Sequence, residues 1–330
     1  MIYDSDPIAS PQQMLRMRSH VAGLALLTFA GQAAGAQLSH REPEWYLPTG
    51  DGCRLFVQEY GRGSDTVIVV HGGFGAEHSY LLDAFRGLED RFHFVFYDQR
   101  GSLRSPCPDS LISVGAHVSD VERLRQELKL ERATLVAHSM GTVLAMHYLE
   151  ANPNRVRGMV LTGAIPPKSD TIAEMNRQAQ AMSERPAVAE QMRLAGLGPD
   201  TSTYTAKERT THWRIRFTGV NVYHVERWRQ MRGGQVFYSQ RAGSAAARTL
   251  AKSYDFRPAI LAHPCPVWIV IGDHDYVDFG VPRHHEWTRG AANVTLRVLP
   301  NAGHAAWIDD PDGWRESLGS GLGAMVRCRP

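Results

Sequence analysis

Short apolar runs without polar alternation recur along this chain, at residues 66–70, 92–97, 133–136, 158–161 and 267–271, with a looser run at 294–299. A strand whose neighbouring side chains are all apolar must be covered on both faces, which is the habit of parallel sheets. The stretches between the runs supply the cover, since residues 78–89, 118–128 and 142–150 read as helices. The expected fold class is therefore α/β, with a mostly parallel sheet and helices on both faces. A hairpin should open it, with strands at 44–48 and 54–60 around Thr49-Gly50-Asp51-Gly52. In such a sheet ligands bind beyond the carboxyl ends of the strands.

From residue 166 to residue 258 the strand rhythm stops, and the chain turns helical with Ala, Gln, Met, Arg and scattered aromatics. With 330 residues, 43% of them hydrophobic, the chain can bury one large core and carry an inserted subdomain. The reading is a core domain from 37–165 and 259–330, with a helical subdomain over 166–258. Residues 1–36 read as a secretory signal peptide, with Arg16 and Arg18 before an apolar stretch and Ala34-Gly35-Ala36 as a cleavage site. The acidic leader with Asp4 and Asp6 places the start of translation at Met14 or Met17 as an alternative. The apolar run is too short to anchor the chain across a bilayer. The expected location is periplasmic or secreted.

Export would put Cys53, Cys107, Cys265 and Cys328 in an oxidising compartment, where four cysteines allow three pairings. Parallel strands begin at the face where returning helices end. Cys265 precedes a strand and Cys328 follows the last helix, so a bridge between them is expected, with free buried thiols as the alternative. The formal charge of +2 and the scatter of basic residues give no reason to expect a nucleic-acid partner.

Ser139 lies in Ala137-His138-Ser139-Met140-Gly141, between an apolar strand and a helical stretch. A strand that turns sharply into a helix through a serine holds the hydroxyl above the sheet, beside the positive end of the helix. A serine nucleophile also needs a base, an acid to orient the base, and donors for an oxyanion. Gly272-Asp273-His274-Asp275-Tyr276-Val277-Asp278 follows one strand and offers three carboxylates. Pro300-Asn301-Ala302-Gly303-His304 follows the next and offers an imidazole. Upstream, His71-Gly72-Gly73-Phe74-Gly75 lets the backbone fold so that an N–H points into the site.

These segments, with Asp98-Gln99-Arg100-Gly101-Ser102-Leu103-Arg104-Ser105, resemble the α/β-hydrolase superfamily from about residue 45 onward, and within it the proline iminopeptidase group. The order Ser, Asp, His is the one expected for that fold. The resemblance implies an inserted helical cap, Ser139 as nucleophile, His304 as base and Asp275 as the orienting acid, with Asp273 as runner-up. It also implies an oxyanion hole. Relatives with Pro at the position of Phe74 lack an N–H there, so the upstream donor maps onto Gly73, and the second is the Met140 amide. The group usually carries that Pro, and commonly Gly-Gly-Ser-Trp-Gly at the elbow, so this chain departs from it at Phe74, Ala137, His138 and Met140.

The expected activity is that of a serine hydrolase working through an acyl-enzyme, as an aminopeptidase on short peptides. A carboxylesterase or lactonase is the alternative, and a ligand-binding protein with little turnover the alternative of another class. Candidates for the pocket are Phe74, Trp213, Phe217, Tyr223, Trp228, Phe237 and Tyr238, with Glu226 and Glu208 available to hold a substrate ammonium group. No metal is expected, because none of His71, His138 and His274 has two partners at metal-ligand spacing, and the expected acyl-enzyme route needs no cofactor. His71 is expected to bond within its glycine loop, His138 to sit at the buried end of its strand, and His274 to point away. Asp98 and Arg100 are expected to brace loops.

Overall fold

The structure, a computed structural model, describes residues 43–169, 172–232 and 238–328. The signal-peptide reading and Phe237 fall outside the described residues. Among the described residues eight strands form one sheet: β1 Glu44–Pro48, β2 Arg54–Tyr60, β3 Asp65–Val70, β4 Phe92–Tyr97, β5 Ala133–His138, β6 Val156–Thr162, β7 Val267–Gly272 and β8 Val294–Leu299. Their order is β1-β2-β4-β3-β5-β6-β7-β8. The β1/β2 and β2/β4 pairs are antiparallel, and the other pairs are parallel.

Both faces of the central strands are apolar, and alternate residues enter two separate cores. Ile68, Val70, Leu135, Ala137, Ile269 and Ile271 join one core with side chains of helices α1 (Val114–Glu127) and α2 (Met140–Ala151). Val67, Val69, Phe94, Phe96, Val136 and Val270 join the other. This second core is closed by Leu81 and Phe85 and by Trp314, Leu318 and Leu322 of a C-terminal helix, Pro311–Val326. The uninterrupted apolar runs thus have their physical reason in a sheet buried from both sides.

Between β6 and β7 the described residues hold helices and no strand of the sheet: α3 Ile172–Ser183, α4 Pro186–Leu194, α5 Ala206–Asn221, α6 Gln240–Ala247 and α7 Arg257–Ala262. This is the helical cap, with a small core of its own built from Val188, Ile215, Val225 and Trp228. After β7 come α8 Pro282–Thr288, β8, α9 Ala306–Asp309 and α10 Pro311–Val326.

One expected helix is shorter and tighter than its pattern predicted. Residues 78–89 form a 3-10 helix only over His78–Phe85, capped by the Glu77 side chain, which accepts the Ser79 N–H. Gly87, at φ +82°, then turns the chain toward β4. Two disulfides tie the core: Cys265 to Cys328, and Cys53 to Cys107.

Candidate active site

Ser139 occupies a backbone conformation that L residues seldom adopt, at φ +55° and ψ −128°, between β5 and α2. Such a residue costs on the order of 1–3 kcal/mol and persists only where its surroundings over-determine it. Here they do. The Ser139 N–H donates to the Thr162 carbonyl at 3.0 Å, and its carbonyl accepts from the Thr142 N–H at 2.8 Å. A side chain at Gly141 would sit 2.4 Å from the Val70 carbonyl oxygen, and one at Gly72 would sit 2.6 Å from the Ser139 Cβ. The small residues around the serine are thus demanded by the close approach of β3 and its following loop.

His304 reaches the same place from the loop after β8. Its Nδ1 lies 2.9 and 3.0 Å from the two carboxylate oxygens of Asp275, and both side chains are buried. Asp275 also accepts the Val277 N–H at 3.0 Å, which holds its carboxylate in the turn after β7. Asp273 instead pairs with His274 at 2.7 Å, and Asp278 with His284 at 2.7 Å, so Asp275 alone of the three carboxylates meets His304. No hydrogen bond joins the Ser139 hydroxyl in this conformation to His304, whose Nδ1 is engaged by Asp275. Catalytic hydrogen bonds in empty sites are often long and tighten when substrate binds. The Tyr276 ring lies 4.7 Å from that of His304, and burial, then the Asp275 charge, push its phenol pKa up.

The glycine loop is held by His71. The Gln99 N–H donates to His71 Nε2 at 3.0 Å, so the ring proton sits on Nδ1 and is donated to the Gly72 carbonyl at 2.9 Å. Burial lowers the His71 pKa and keeps the ring neutral. In a trans peptide the N–H points opposite to the carbonyl, so the Gly73 N–H is directed away from His71. No acceptor among the described residues takes it, nor the Met140 N–H at the first position of α2.

Ser139, His304, Gly72 and Gly73 open onto one cavity of about 460 Å³, roofed by Trp213, Phe217, Met231 and Tyr238 of the cap. Tyr80, His138 and Tyr276 complete its floor. Of the aromatic candidates, Trp213, Phe217 and Tyr238 line this cavity. Phe74, Glu226 and Trp228 do not. Phe74 stacks on His117 at 5.7 Å and belongs to the core, because the positive φ of Gly73 and Gly75 on either side turns its ring inward. Trp228 is buried in the cap's own core, and Glu226 is exposed beside His224. Tyr223 packs on His274 at 4.3 Å, and Glu208 closes a capping box with Thr205 at the start of α5.

The carboxylate that does line the cavity is Glu77, among the described residues. It is buried, and it accepts hydrogen bonds from Arg104 at 3.0 Å and from the Ser79 hydroxyl at 2.6 Å. Arg104 also bridges to Asp98 at 3.0 Å, and Asp98 to His78 at 2.7 Å. Burial works against the Asp98 charge, but its hydrogen bond with His78 leads the contacts that hold its carboxyl below the usual range. Glu77, His78 and Asp98 stand close enough to ligate a metal ion, yet Arg104 already supplies the positive charge there. Arg100 is buried against Asp120 at 2.5 Å and Asp51 at 2.7 Å, bracing its loop.

Asp309 carried no sequence signal as a site residue, but it joins the cap to the His304 loop. Its carboxylate accepts N–H groups from Gly303 at 2.8 Å, Tyr223 at 2.8 Å and His224 at 2.9 Å.

Residues 65–311 match the family described as alpha/beta hydrolase fold. A proline iminopeptidase of Levilactobacillus brevis is 26% identical over 284 residues, covering 78% of this chain and 88% of the relative. A probable proline iminopeptidase of Streptomyces coelicolor is 32% identical over 139 residues, and that alignment spans 40% of this chain and 43% of the relative. Among solved structures, a proline iminopeptidase-related protein of Thermus thermophilus superposes with a TM-score of 0.60 at 26% identity, covering 87% of this chain and 99% of the other. An esterase of Exiguobacterium antarcticum superposes with a TM-score of 0.59 at 19% identity, covering 83% and 97%, a likeness of fold.

Proposed function

The chain belongs to the α/β-hydrolase fold family, and on that premise we propose that it is a serine hydrolase that works through an acyl-enzyme. The observation that carries this reading is the convergence of Ser139, His304 and the Gly73 backbone on one cavity, with Asp275 buried behind the imidazole. Ser139 Oγ attacks the scissile carbonyl carbon while His304 Nε2 takes its proton. Asp275 keeps the imidazole in the tautomer whose Nε2 is free to do so. The oxyanion of the tetrahedral intermediate is held by the Gly73 and Met140 N–H groups, each worth about 3 kcal/mol in the transition state. Collapse expels the amine or alcohol with the proton from His304, and water then releases the acid by the same route.

For the substrate we favour the N-terminal residue of a short peptide, proline or another small residue, by likeness to the iminopeptidases. Its ammonium group would meet Glu77. An ester or lactone substrate is the second reading, favoured by the apolar roof and by the engagement of Glu77 with Arg104. Export belongs to the same proposal and is supported by the two disulfides.

The test is turnover of L-prolyl and L-alanyl p-nitroanilides beside p-nitrophenyl acetate and butyrate, by the wild type, Ser139→Ala and Glu77→Gln. Ser139→Ala should abolish every activity. Glu77→Gln should raise KM for the anilides at least about tenfold, equivalent to about 1.4 kcal/mol, and leave the esters unchanged. Ester turnover without anilide turnover removes the peptidase reading. A Ser139 that a fluorophosphonate does not label in folded protein would favour a ligand-binding role.

A further inference from the structure

His138 is buried and Tyr80 half-buried beside the proposed nucleophile, and no step of the proposed reaction uses either of them. Three hydrogen bonds run through them. The Gly72 N–H donates to Tyr80 Oη at 2.7 Å, Tyr80 Oη lies 2.8 Å from His138 Nδ1, and His138 Nε2 lies 3.2 Å from the His304 backbone carbonyl. A carbonyl can only accept, so His138 Nε2 carries a proton. Burial, and then the neighbouring His304, push the His138 pKa well down, so the ring is neutral and its Nδ1 is an acceptor. The Tyr80 hydroxyl proton therefore goes to His138, which leaves the Tyr80 oxygen free to accept from Gly72. Every donor and acceptor in the chain has one assignment.

The two ends of this chain are the backbones whose placement matters most to the proposed chemistry. One end is the peptide preceding Gly72, which adjoins the peptide that carries the Gly73 N–H. The other is the carbonyl of His304 itself. We propose that Tyr80 and His138 are positioning residues that hold the oxyanion loop and the base in fixed register. The proposal rests on the reading of Ser139 and His304 as nucleophile and base. Packing locks the same register: the His138 ring lies 4.6 Å from the ring of His304 and 5.1 Å from that of Trp307, and Tyr80 lies 6.3 Å from Trp307. A Cβ at Gly163 would come within 2.8 Å of His304 Nδ1 and 3.0 Å of His138 Nε2, so a glycine there lets both rings approach.

Small misplacements of an oxyanion donor act on the tetrahedral state and leave ground-state binding nearly untouched. Tyr80→Phe keeps the ring and removes the hydroxyl. His138→Leu removes both ring nitrogens, whereas the amide of His138→Gln offers an acceptor and a donor at a similar separation. The experiment measures kcat and KM on whichever anilide or ester the full-length protein turns over, and the affinity for phenylboronic acid, which forms a tetrahedral adduct with a nucleophilic serine. It adds the imidazole 15N spectrum of the wild type and of each variant, with Ser139→Ala as control.

Tyr80→Phe and His138→Leu should each lower kcat and boronic-acid affinity roughly tenfold with KM within about twofold. The double variant should lose no more than the worse single one, and His138→Gln should recover most of the loss. The wild-type spectrum should show His138 protonated at Nε2 alone. Losses that multiply in the double variant, equal defects in the Gln and Leu variants, or a His138 protonated at Nδ1 would each overturn the proposal. Activity that survives Ser139→Ala would instead remove the nucleophile assignment, and the spectrum would still judge the hydrogen-bonded chain.

Discussion

Replacing Asp275 by Asn is the sharpest probe of the site, because it changes one charge and one donor without changing shape. The Asp275 carboxylate is fully buried, and His304 is nearly so, with Nδ1 2.9 Å from the nearer oxygen. In the proposed reaction the imidazole, on taking the Ser139 proton, becomes a cation at that distance from the carboxylate. At an effective dielectric constant of about 20 the attraction is roughly 6 kcal/mol, which corresponds to about four powers of ten in rate. Asparagine removes that attraction. Its amide nitrogen, turned toward Nδ1, also moves the ring proton to Nε2, where it blocks acceptance from serine. The expected outcome for Asp275→Asn is a kcat reduced about 10⁴-fold with KM nearly unchanged, measured on the best substrate, with circular dichroism to check the fold. Asp273→Asn should stay within a few-fold of wild type, because Asp273 is half-exposed and pairs with His274. A modest loss in Asp275→Asn, or a larger one in Asp273→Asn, would refute the assignment of the acid.

Two further predictions concern stability. Among the described residues His117 is buried with no hydrogen-bond partner on either ring nitrogen, and burial, then the Arg100 charge, push its pKa down to about 3. The unfolded chain therefore binds a proton that the folded one refuses between pH 6.5 and 3. The stability that His117 allows is complete above pH 6.5 and falls by up to about 1.4 kcal/mol per unit below it. His117→Phe should flatten this acid limb in denaturant titrations from pH 7.5 to 4, and curves that stay parallel would contradict it. The disulfides close separations of 63 and 54 residues, so each constrains the unfolded chain by about 4 kcal/mol in the chain-entropy account. Removing Cys265 and Cys328 together should lower the denaturation midpoint and leave kcat unchanged, because that bridge joins the amino end of β7 to the segment after α10. A fall in kcat with no loss of stability would mean that the bridge acts on the site instead.

The sheet was legible because its strands are written as apolar runs, and both hairpin strands lie where the turn Thr49-Gly50-Asp51-Gly52 places them. The convergence of residues 139, 275 and 304 was legible for the same reason, since each follows a strand and parallel strands end on one side. The cavity wall was not. Trp213 and Phe217 reach it while Trp228 does not, yet all three are aromatics on cap helices with no difference in local pattern. Phe74 adjoins Gly73 in sequence, but the positive φ of the flanking glycines turns it into the core. Glu77 gave no sign of facing the cavity, because its orientation follows from its cap on Ser79 and its pairing with Arg104.

What the amino-acid order determined by itself was everything that local pattern controls: the alternation of strand and helix, the sharp turn at Ser139, the glycines that only close backbone approach requires, and the placement of residues 139, 275 and 304 beyond the carboxyl ends of strands. Tertiary structure alone decided which of Asp273, Asp275 and Asp278 meets His304, how His71 and His138 come to hold opposite ring protons, and which carboxylate faces the cavity. The reason is that a hydrogen bond depends on direction and on a few tenths of an ångström between groups far apart in the chain, and neither quantity is carried by neighbouring residues.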